Sequence, residues 1–198
     1  MATVVDVLRH GALEGGVRYR GGVEARLTPE GRAAMDAVWE RLRDEVEVIV
    51  SSPLSRCLAP ARDWAKTSGK PLVVEPDFRE LAYGEWEGCT HEEIEARFPG
   101  MLAAWRRDPS RLTIPGAETW AGFAGRVAGA WRRLLEAHEG RHVLLVAHSG
   151  TLRALLAMAL EAPAASARRL DVPYACWSRL SHADGNSVLI WHNRRPDG

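Results

Sequence analysis

Short apolar runs alternate with helical patterns along this chain, and this alternation constrains its fold more than any other feature. Residues 3–7, 48–50 and 142–147 are apolar and rich in β-branched side chains, which is typical of buried strands. A helical pattern follows each run. Strands that alternate with helices form βαβ units with right-handed crossovers. The sequence therefore predicts an α/β protein, a three-layer α/β/α sandwich with a mostly parallel central sheet.

The part of the chain between the early and late strands has a different pattern. Residues 89–118 look helical but are interrupted by Pro99, Pro109 and Pro115. This pattern predicts a short helical lid insertion over one end of the sheet. With no repeat, low-complexity tract or linker elsewhere, we expect residues 1–198 to form a single domain.

Composition excludes several classes of protein. The 198 residues carry 26 basic and 26 acidic side chains, a balance that argues against a nucleic-acid binder. No apolar run approaches the ~20 residues that span a bilayer, and no signal-like segment precedes the first strand, so we expect a cytoplasmic protein without membrane partners. The three cysteines and seven histidines lack metal-ligand spacing, so no metal or cofactor is expected. A homodimer is left open.

Cationic and imidazole side chains follow three of the predicted strands. The first strand delivers Arg9 and His10, the second leads to Arg56 in the first helical turn, and the late strand ends at His148. The carboxyl ends of parallel strands meet at one edge of a sheet, where helix N-termini also offer free N–H groups. Guanidinium groups match phosphate oxygens, and a neutral imidazole is a competent nucleophile near neutral pH. The sequence therefore predicts a site for a phosphoryl group.

Five short motifs occur in order over most of the chain. They are Leu8-Arg9-His10-Gly11, Leu27-Thr28-Pro29-Glu30-Gly31, Ser51-Ser52-Pro53-Leu54-Ser55-Arg56, Glu80-Leu81-Ala82-Tyr83-Gly84-Glu85-Trp86-Glu87-Gly88 and Ala147-His148-Ser149-Gly150. Together they resemble the histidine phosphatase superfamily, which has the phosphoglycerate mutase-like fold. The resemblance implies a phosphomonoesterase that hydrolyses a small phosphorylated metabolite.

The resemblance also implies a role for each matching residue. His10 would be the nucleophile that forms a phosphohistidine, and Glu80 would be the general acid and base. Arg9, Arg56 and His148 would bind the phosphoryl oxygens.

The loop over residues 15–21 and the segment over residues 105–118 are similar to those of alpha-ribazole phosphatase-like members. This similarity implies alpha-ribazole 5′-phosphate, an intermediate of cobalamin biosynthesis, as the substrate. The side chains and amides expected to bind it are Arg18, Arg20, Gly21, Ser149 and Gly150. Trp86, Trp105 and Trp120 are candidates to stack on its benzimidazole base, and the alternative is that they fill the core.

Three other functions are consistent with the same motifs. A phosphoglycerate mutase is one alternative, but the short insertion leaves the site open to water, which favours hydrolysis over return of the phosphoryl group. A phosphatase of broad specificity for sugar and nucleotide phosphates is the second. A non-catalytic module that binds a phosphorylated ligand is the third, although all five catalytic positions carry the expected residue.

Overall fold

The computed structural model describes residues 1–195, which contain one six-stranded sheet. The strands are β1 (Thr3–Arg9), β2 (Val48–Ser51), β3 (Leu72–Val74), β4 (His142–Ala147), β5 (Trp177–Ala183) and β6 (Asn186–Arg194). Their order across the sheet is β3-β2-β4-β1-β5-β6. The first four in this order are parallel, whereas β5 and β6 are each antiparallel to their neighbour. The predicted mostly parallel sheet is confirmed.

Helices connect the strands. They are α1 (Pro29–Leu42), α2 (Ser55–Ser68), α3 (His91–Arg97), α4 (Met101–Arg107), α5 (Trp120–Ala137) and α6 (Ser149–Ala159). Short 3₁₀ turns occupy Pro76–Phe78, Gly84–Trp86, Pro109–Arg111 and Ala164–Arg169. Thr28 and Thr119 begin α1 and α5, since each hydroxyl accepts a hydrogen bond from a backbone N–H of the first turn.

Alternate residues of the central strands face two different apolar clusters. On one face, Leu144 and Val146 of β4 pack with buried residues of α1 and α2. On the other face, Val143 and Leu145 pack with α5, α6 and the 89–118 segment. Because successive side chains of a strand point to opposite faces, the uninterrupted apolar run of β4 is covered by helices on both sides. This arrangement is the predicted three-layer sandwich.

The insertion over residues 89–118 consists of α3, α4 and the turn at Pro109–Arg111. Thr90 starts α3 with a capping box, because its hydroxyl accepts from the Glu93 N–H while the Glu93 carboxylate accepts from the Thr90 N–H. Ile94 and Leu102 anchor the two helices in the cluster shared with α5 and α6. The insertion is therefore helical as expected, and its own side chains fasten it to the body of the protein.

The parallel strands β1, β2 and β4 end at the same edge of the sheet. Their register pairs Arg9 with Ala147 and Ser51 with Val146, so the segments that follow these strands begin side by side. The N-termini of α2 and α6 lie at this edge as well. The chemistry predicted from the strand ends is thus brought together by strand register alone.

Candidate active site

His10 follows β1 and is only 5% exposed. Its Nδ1 lies 2.9 Å from the carbonyl oxygen of Gly11. A carbonyl oxygen only accepts, so Nδ1 carries the proton and Nε2 keeps its lone pair. Burial, and after it the charges of Arg9 and Arg56, lower the pKa of His10 well below its usual 6.5. The imidazole is therefore neutral at neutral pH, with its unprotonated nitrogen available for attack.

His148 is fully buried beside it, and the centroids of the two imidazole rings are 5.3 Å apart. Arg56 Nε donates to its Nδ1 at 3.2 Å, so Nε2 carries the proton and donates to the Ser52 hydroxyl at 2.6 Å. Burial, followed by the charge of Arg56, lowers the pKa of His148 well below 6.5. This histidine is held neutral, in one tautomer, by groups from α2 and the segment before it.

Arg56 lies in the first turn of α2 and is 2% exposed. Its Nη1 donates to the carbonyl of Val23 at 2.9 Å, and its Nη2 donates to the carbonyls of Arg20 and Gly21 at 3.1 and 2.8 Å. All three guanidinium nitrogens thus have acceptors. Arg56 ties the loop over residues 20–23 to the site with four of its five N–H donors, which leaves one N–H on Nη1 for another acceptor.

Arg9, at the end of β1, uses fewer of its donors. Nη1 donates to the carbonyl of Val172 at 2.7 Å, and the guanidinium carbon lies 3.9 Å from the centroid of the Tyr174 ring. Nε is buried without a hydrogen-bond partner among the described residues. Burial lowers the pKa of Arg9 from its usual value, although a guanidinium stays charged near neutral pH. Arg9 therefore presents a positive charge with unused donors.

The Glu80 carboxylate lies at the N-terminus of α6 and is 6% exposed. Its Oε2 accepts from the Gly150 N–H at 2.9 Å, and its Oε1 accepts from the N–H groups of Thr151 and Leu81 at 3.1 and 3.0 Å. Three backbone donors and the positive end of the helix dipole stabilise the negative carboxylate and fix its position. A carboxylate held this firmly is suited to transferring a proton at one defined point.

Arg9, His10 and Glu80 line a cleft of about 260 Å³, whereas Arg56 and His148, predicted to bind the phosphoryl oxygens, are not among its lining residues. Its lining residues are Arg9, His10, Leu13, Val17, Arg18, Tyr19, Arg20, Glu80, Tyr83, His91, Arg106, Ser149, Arg153, Arg168 and Tyr174. Six of these are arginines, and Glu80 is the single carboxylate, so the cleft attracts anions. A larger cavity of about 550 Å³ lies at the opposite edge of the sheet, where β1 begins, and contains none of the groups described above.

The family comparison agrees with this geometry. A family model of the histidine phosphatase superfamily (branch 1) matches residues 5–195. The chain belongs to the histidine phosphatase superfamily. The predicted phosphoglycerate mutase-like fold is confirmed, and several relatives of the chain are named as phosphatases.

Individual relatives of this chain are named for different substrates. It is 33% identical to the bifunctional protein Rv2228c of Mycobacterium tuberculosis over 92% of its own length, but it spans only 51% of that relative. It is 28% identical to the adenosylcobalamin/alpha-ribazole phosphatase of Salmonella typhimurium, with 96% of this chain and 95% of that one covered. The solved structure of a mycobacterial glucosyl-3-phosphoglycerate phosphatase superposes with a TM-score of 0.85, at 31% identity, covering 96% and 98% of the two chains.

The five residues predicted to contact the substrate have different positions. Arg18, Arg20 and Ser149 line the cleft, although Arg18 also pairs with Glu93 at 3.1 Å on the surface. Gly21 and Gly150 do not line it. The Gly21 amide donates to the Glu87 carboxylate at 2.9 Å, and the Gly150 amide donates to Glu80. The structure therefore corrects the prediction for these two glycines, whose amides hold carboxylates in place.

The tryptophans predicted as a platform for an aromatic base do not line the cleft. Trp86 is 0% exposed and Trp105 is 3% exposed, and their rings pack edge to face with centroids 5.9 Å apart. Trp120 is half-buried against Phe123. The alternative that these side chains fill the core is confirmed for Trp86 and Trp105, whereas Trp120 packs against the core and stays half-buried.

Arg126 is a positioning residue that sequence reasoning missed. From α5 it donates to the carbonyls of Asp77, Arg79 and Glu80 at 2.6, 2.8 and 2.9 Å. Its guanidinium also pairs with the Glu118 carboxylate at 2.7 Å, and both side chains are mostly buried. It therefore fixes the backbone that carries Glu80. No motif marks this position, and the helical spacing of α5 only places it between apolar residues.

Two features are absent from residues 1–195, the part of the chain that the structure describes. No cluster of three or more His, Cys, Asp or Glu side chains is arranged there to hold a metal ion. None of the helices in that range has the length and apolar character needed to cross a bilayer.

Proposed function

We propose that the protein hydrolyses the phosphomonoester of a small metabolite through a phosphohistidine on His10. The observation that carries this proposal is the state of that imidazole. Its Nδ1 proton is bound by the Gly11 carbonyl, and its Nε2 is left unprotonated in a cleft lined by arginines. A neutral nucleophile beside fixed positive charge is the arrangement that phosphoryl transfer requires.

In the first step, His10 Nε2 attacks phosphorus, the P–N bond forms and the ester P–O bond breaks. Arg9 balances the charge on the phosphoryl oxygens with the donors that the protein leaves unused. Arg56 adds its charge and the one N–H of Nη1 that its four hydrogen bonds leave over, whereas His148 Nε2 would have to give up the Ser52 hydroxyl in order to donate to a phosphoryl oxygen. The bound phosphate dianion favours the protonated form of Glu80 beside it, and Glu80 gives this proton to the leaving alkoxide.

In the second step, a water molecule attacks the phosphohistidine. The Glu80 carboxylate removes a proton from the water, the P–N bond breaks, and inorganic phosphate leaves. His10 Nε2 recovers its lone pair, and Glu80 is protonated for the next turnover. The hydrogen bonds from the α6 N-terminus keep Glu80 in one place for both transfers.

The open cleft supports hydrolysis over a mutase reaction. The insertion that borders the cleft is short, and of its residues only His91 and Arg106 reach the lining. Such a wall does not exclude water from a phosphohistidine. With 3-phosphoglycerate as substrate, phosphorus NMR would show inorganic phosphate as the product of a phosphatase and 2-phosphoglycerate as the product of a mutase.

The relatives support two candidate substrates, alpha-ribazole 5′-phosphate and glucosyl-3-phosphoglycerate. The loop similarity also implied alpha-ribazole 5′-phosphate. The cleft, however, lacks the tryptophan platform that was expected to stack on the aromatic base of this substrate. The single domain over residues 1–198, the homodimer and the cytoplasmic location stay predictions.

The proposal is tested by trapping the intermediate. Wild type mixed with a phosphomonoester and quenched in alkali carries acid-labile, protein-bound phosphate, whereas His10→Ala carries none and has lost turnover. His138→Ala, a histidine outside the cleft, serves as the matched control and keeps wild-type activity. Wild-type turnover by His10→Ala overturns the proposal. Phosphate binding without turnover by the wild type would instead identify a binding module.

A further inference from the structure

The charge of the cleft exceeds what one phosphoryl group needs. Six arginines line it, and only Arg18 forms an ion pair with a carboxylate among the residues that the structure describes. Arg9 and Arg20 belong to the end of the cleft that holds His10. The other three, Arg106, Arg153 and Arg168, come from α4, α6 and the turn at Ala164–Arg169.

Arg168 is the clearest case of a cleft arginine that has no carboxylate partner among residues 1–195. Its guanidinium lies 4.7 Å from the centroid of the Trp105 ring, and its Nε is buried without a hydrogen-bond partner within residues 1–195. Burial, and after it the charge of Arg153, lower the pKa of Arg168. Arg168 is half-buried, and leaving its buried Nε without an acceptor costs free energy, because the hydration of this N–H is lost and no hydrogen bond replaces it.

Arg153 connects this charge to the catalytic end of the cleft. Its Nε donates to the Leu170 carbonyl at 2.9 Å, which leaves both terminal nitrogens of the guanidinium for other acceptors. Burial and then the charge of Arg9 lower the pKa of Arg153. Arg9, Arg153 and Arg168 thus line one cleft with His10 and add positive charge to it.

We infer that Arg153 and Arg168 form a subsite for a second anionic group, a carboxylate or a second phosphate, on the phosphomonoester substrate. Arg106 lies at the same end of the cleft, where its guanidinium contacts the His91 ring. The inference rests on the proposed phosphomonoesterase function and narrows its substrate class to small phosphorylated acids or bisphosphates. A phosphomonoester with an uncharged body leaves these arginines without a counter-charge.

Matched substrates test this inference. The first pair is 3-phosphoglycerate and glycerol 3-phosphate, which differ by a carboxylate in place of an alcohol. The second pair is fructose 1,6-bisphosphate and fructose 6-phosphate, which tests a second phosphate. We expect kcat/KM to be at least about tenfold higher for the doubly anionic member of one pair, because a charge-assisted hydrogen bond contributes that much or more. The pair that shows the preference identifies the second group.

Variants locate the preference. Arg168→Gln is expected to lower the ratio of kcat/KM within the preferred pair about tenfold, mainly by raising KM for the doubly anionic substrate. The neighbouring, exposed Arg169 provides the matched control, and Arg169→Gln leaves the ratio unchanged. Arg168→Lys keeps the charge and retains part of the preference, and melting curves verify that each variant is folded.

The outcomes separate this inference from the function on which it rests. A wild-type enzyme that hydrolyses p-nitrophenyl phosphate but prefers neither doubly anionic substrate keeps the proposed function and overturns the subsite. A preference that survives intact in Arg168→Gln overturns the assignment to this arginine. Failure of the wild type to hydrolyse any phosphomonoester refutes the phosphomonoesterase itself.

Discussion

Gly150→Ala would separate the position of Glu80 from its chemistry, because it changes the neighbour of the carboxylate and leaves the carboxylate itself in place. Gly150 lies in the first turn of α6 and has an ordinary helical backbone that accepts alanine. A methyl group there would overlap Glu80 Oε1 and approach the Glu80 carboxyl carbon to 3.0 Å. The carboxylate must therefore move.

The displacement and its consequence follow from the same contacts. Relief of the overlap requires Oε1 to retreat by roughly 1 Å to ordinary van der Waals distance. The hydrogen bonds from Gly150 and Thr151, now 2.9 and 3.1 Å long, are then stretched beyond useful geometry. A misplacement of about 1 Å costs on the order of 100-fold in rate, or about 2.7 kcal/mol of transition-state stabilisation.

The assay compares two leaving groups. For an alkyl phosphomonoester, whose alkoxide must be protonated as it leaves, kcat/KM of Gly150→Ala should fall about 100-fold. For p-nitrophenyl phosphate the fall should be only severalfold, because p-nitrophenolate leaves without a proton. The ratio kcat/KM reports the steps up to phosphorylation of His10, so hydrolysis of the phosphohistidine does not mask the difference.

Gly125→Ala is the control, since it adds the same methyl group to α5 where nothing lies within 4 Å. It should leave both substrates unaffected and stabilise the helix slightly. Equal losses on the two substrates in Gly150→Ala would refute Glu80 as the proton donor. Wild-type activity on both, in a folded variant, would refute the steric reasoning.

Two further predictions concern stability. The pKa values of His10 and His148 lie well below 6.5 in the folded protein, so below pH 6.5 the unfolded chain binds protons that the folded chain does not. The contribution of these two neutral histidines to the free energy of unfolding is therefore complete above pH 6.5. It falls as the pH drops below 6.5, by up to about 1.4 kcal/mol per pH unit for each histidine. Urea unfolding over this range should show a shallower decline in His10→Ala, and identical slopes would contradict it. Arg126→Gln should lower the free energy of unfolding by about 3 kcal/mol or more, because it leaves the mostly buried Glu118 carboxylate unpaired. The loss should appear as a lower melting temperature, and Arg126→Lys should recover part of the lost stability. An unchanged melting temperature in Arg126→Gln would contradict the pairing.

The fold was predictable because its signals are local. β1, β2 and β4 are short apolar runs, and Thr28 and Thr119 mark helix starts through their own hydroxyls. The proximity of the residues at the strand ends was predictable too, because parallel pairing brings the carboxyl ends of the strands to one edge of the sheet, independently of the loop conformations. Periodicity and strand register therefore account for most of the architecture.

Hydrogen-bond partners were not predictable, because they depend on where loops return in space. Gly21 and Gly150 have amides that suit phosphate, yet these amides are taken by Glu87 and Glu80. The sequence pattern around an aromatic residue is the same whether its side chain lines a cleft or fills a core. Only the residues that pack around Trp105 show that its ring is part of the core. Long-range contacts of this kind produce no characteristic spacing of residues in the sequence.

The two ends of the cleft differ in the same way, since one end is positioned by strand register and the other by the return of loops and helices in space. The catalytic end is built from strand ends, whose positions are fixed by backbone hydrogen bonds that cannot shift without unpairing the sheet. Arg168 stands on a short turn, and Arg106 stands on a helix of the insertion. Side chains on such segments that lie outside the buried core contacts can change at little cost in stability, because buried residues such as Ile94 and Leu102 hold the segments in place. A protein built in this way can exchange the group that its substrate must carry while the nucleophile and the proton donor stay where they are. The choice of substrate is therefore to be sought in the arginines of the turn and the insertion.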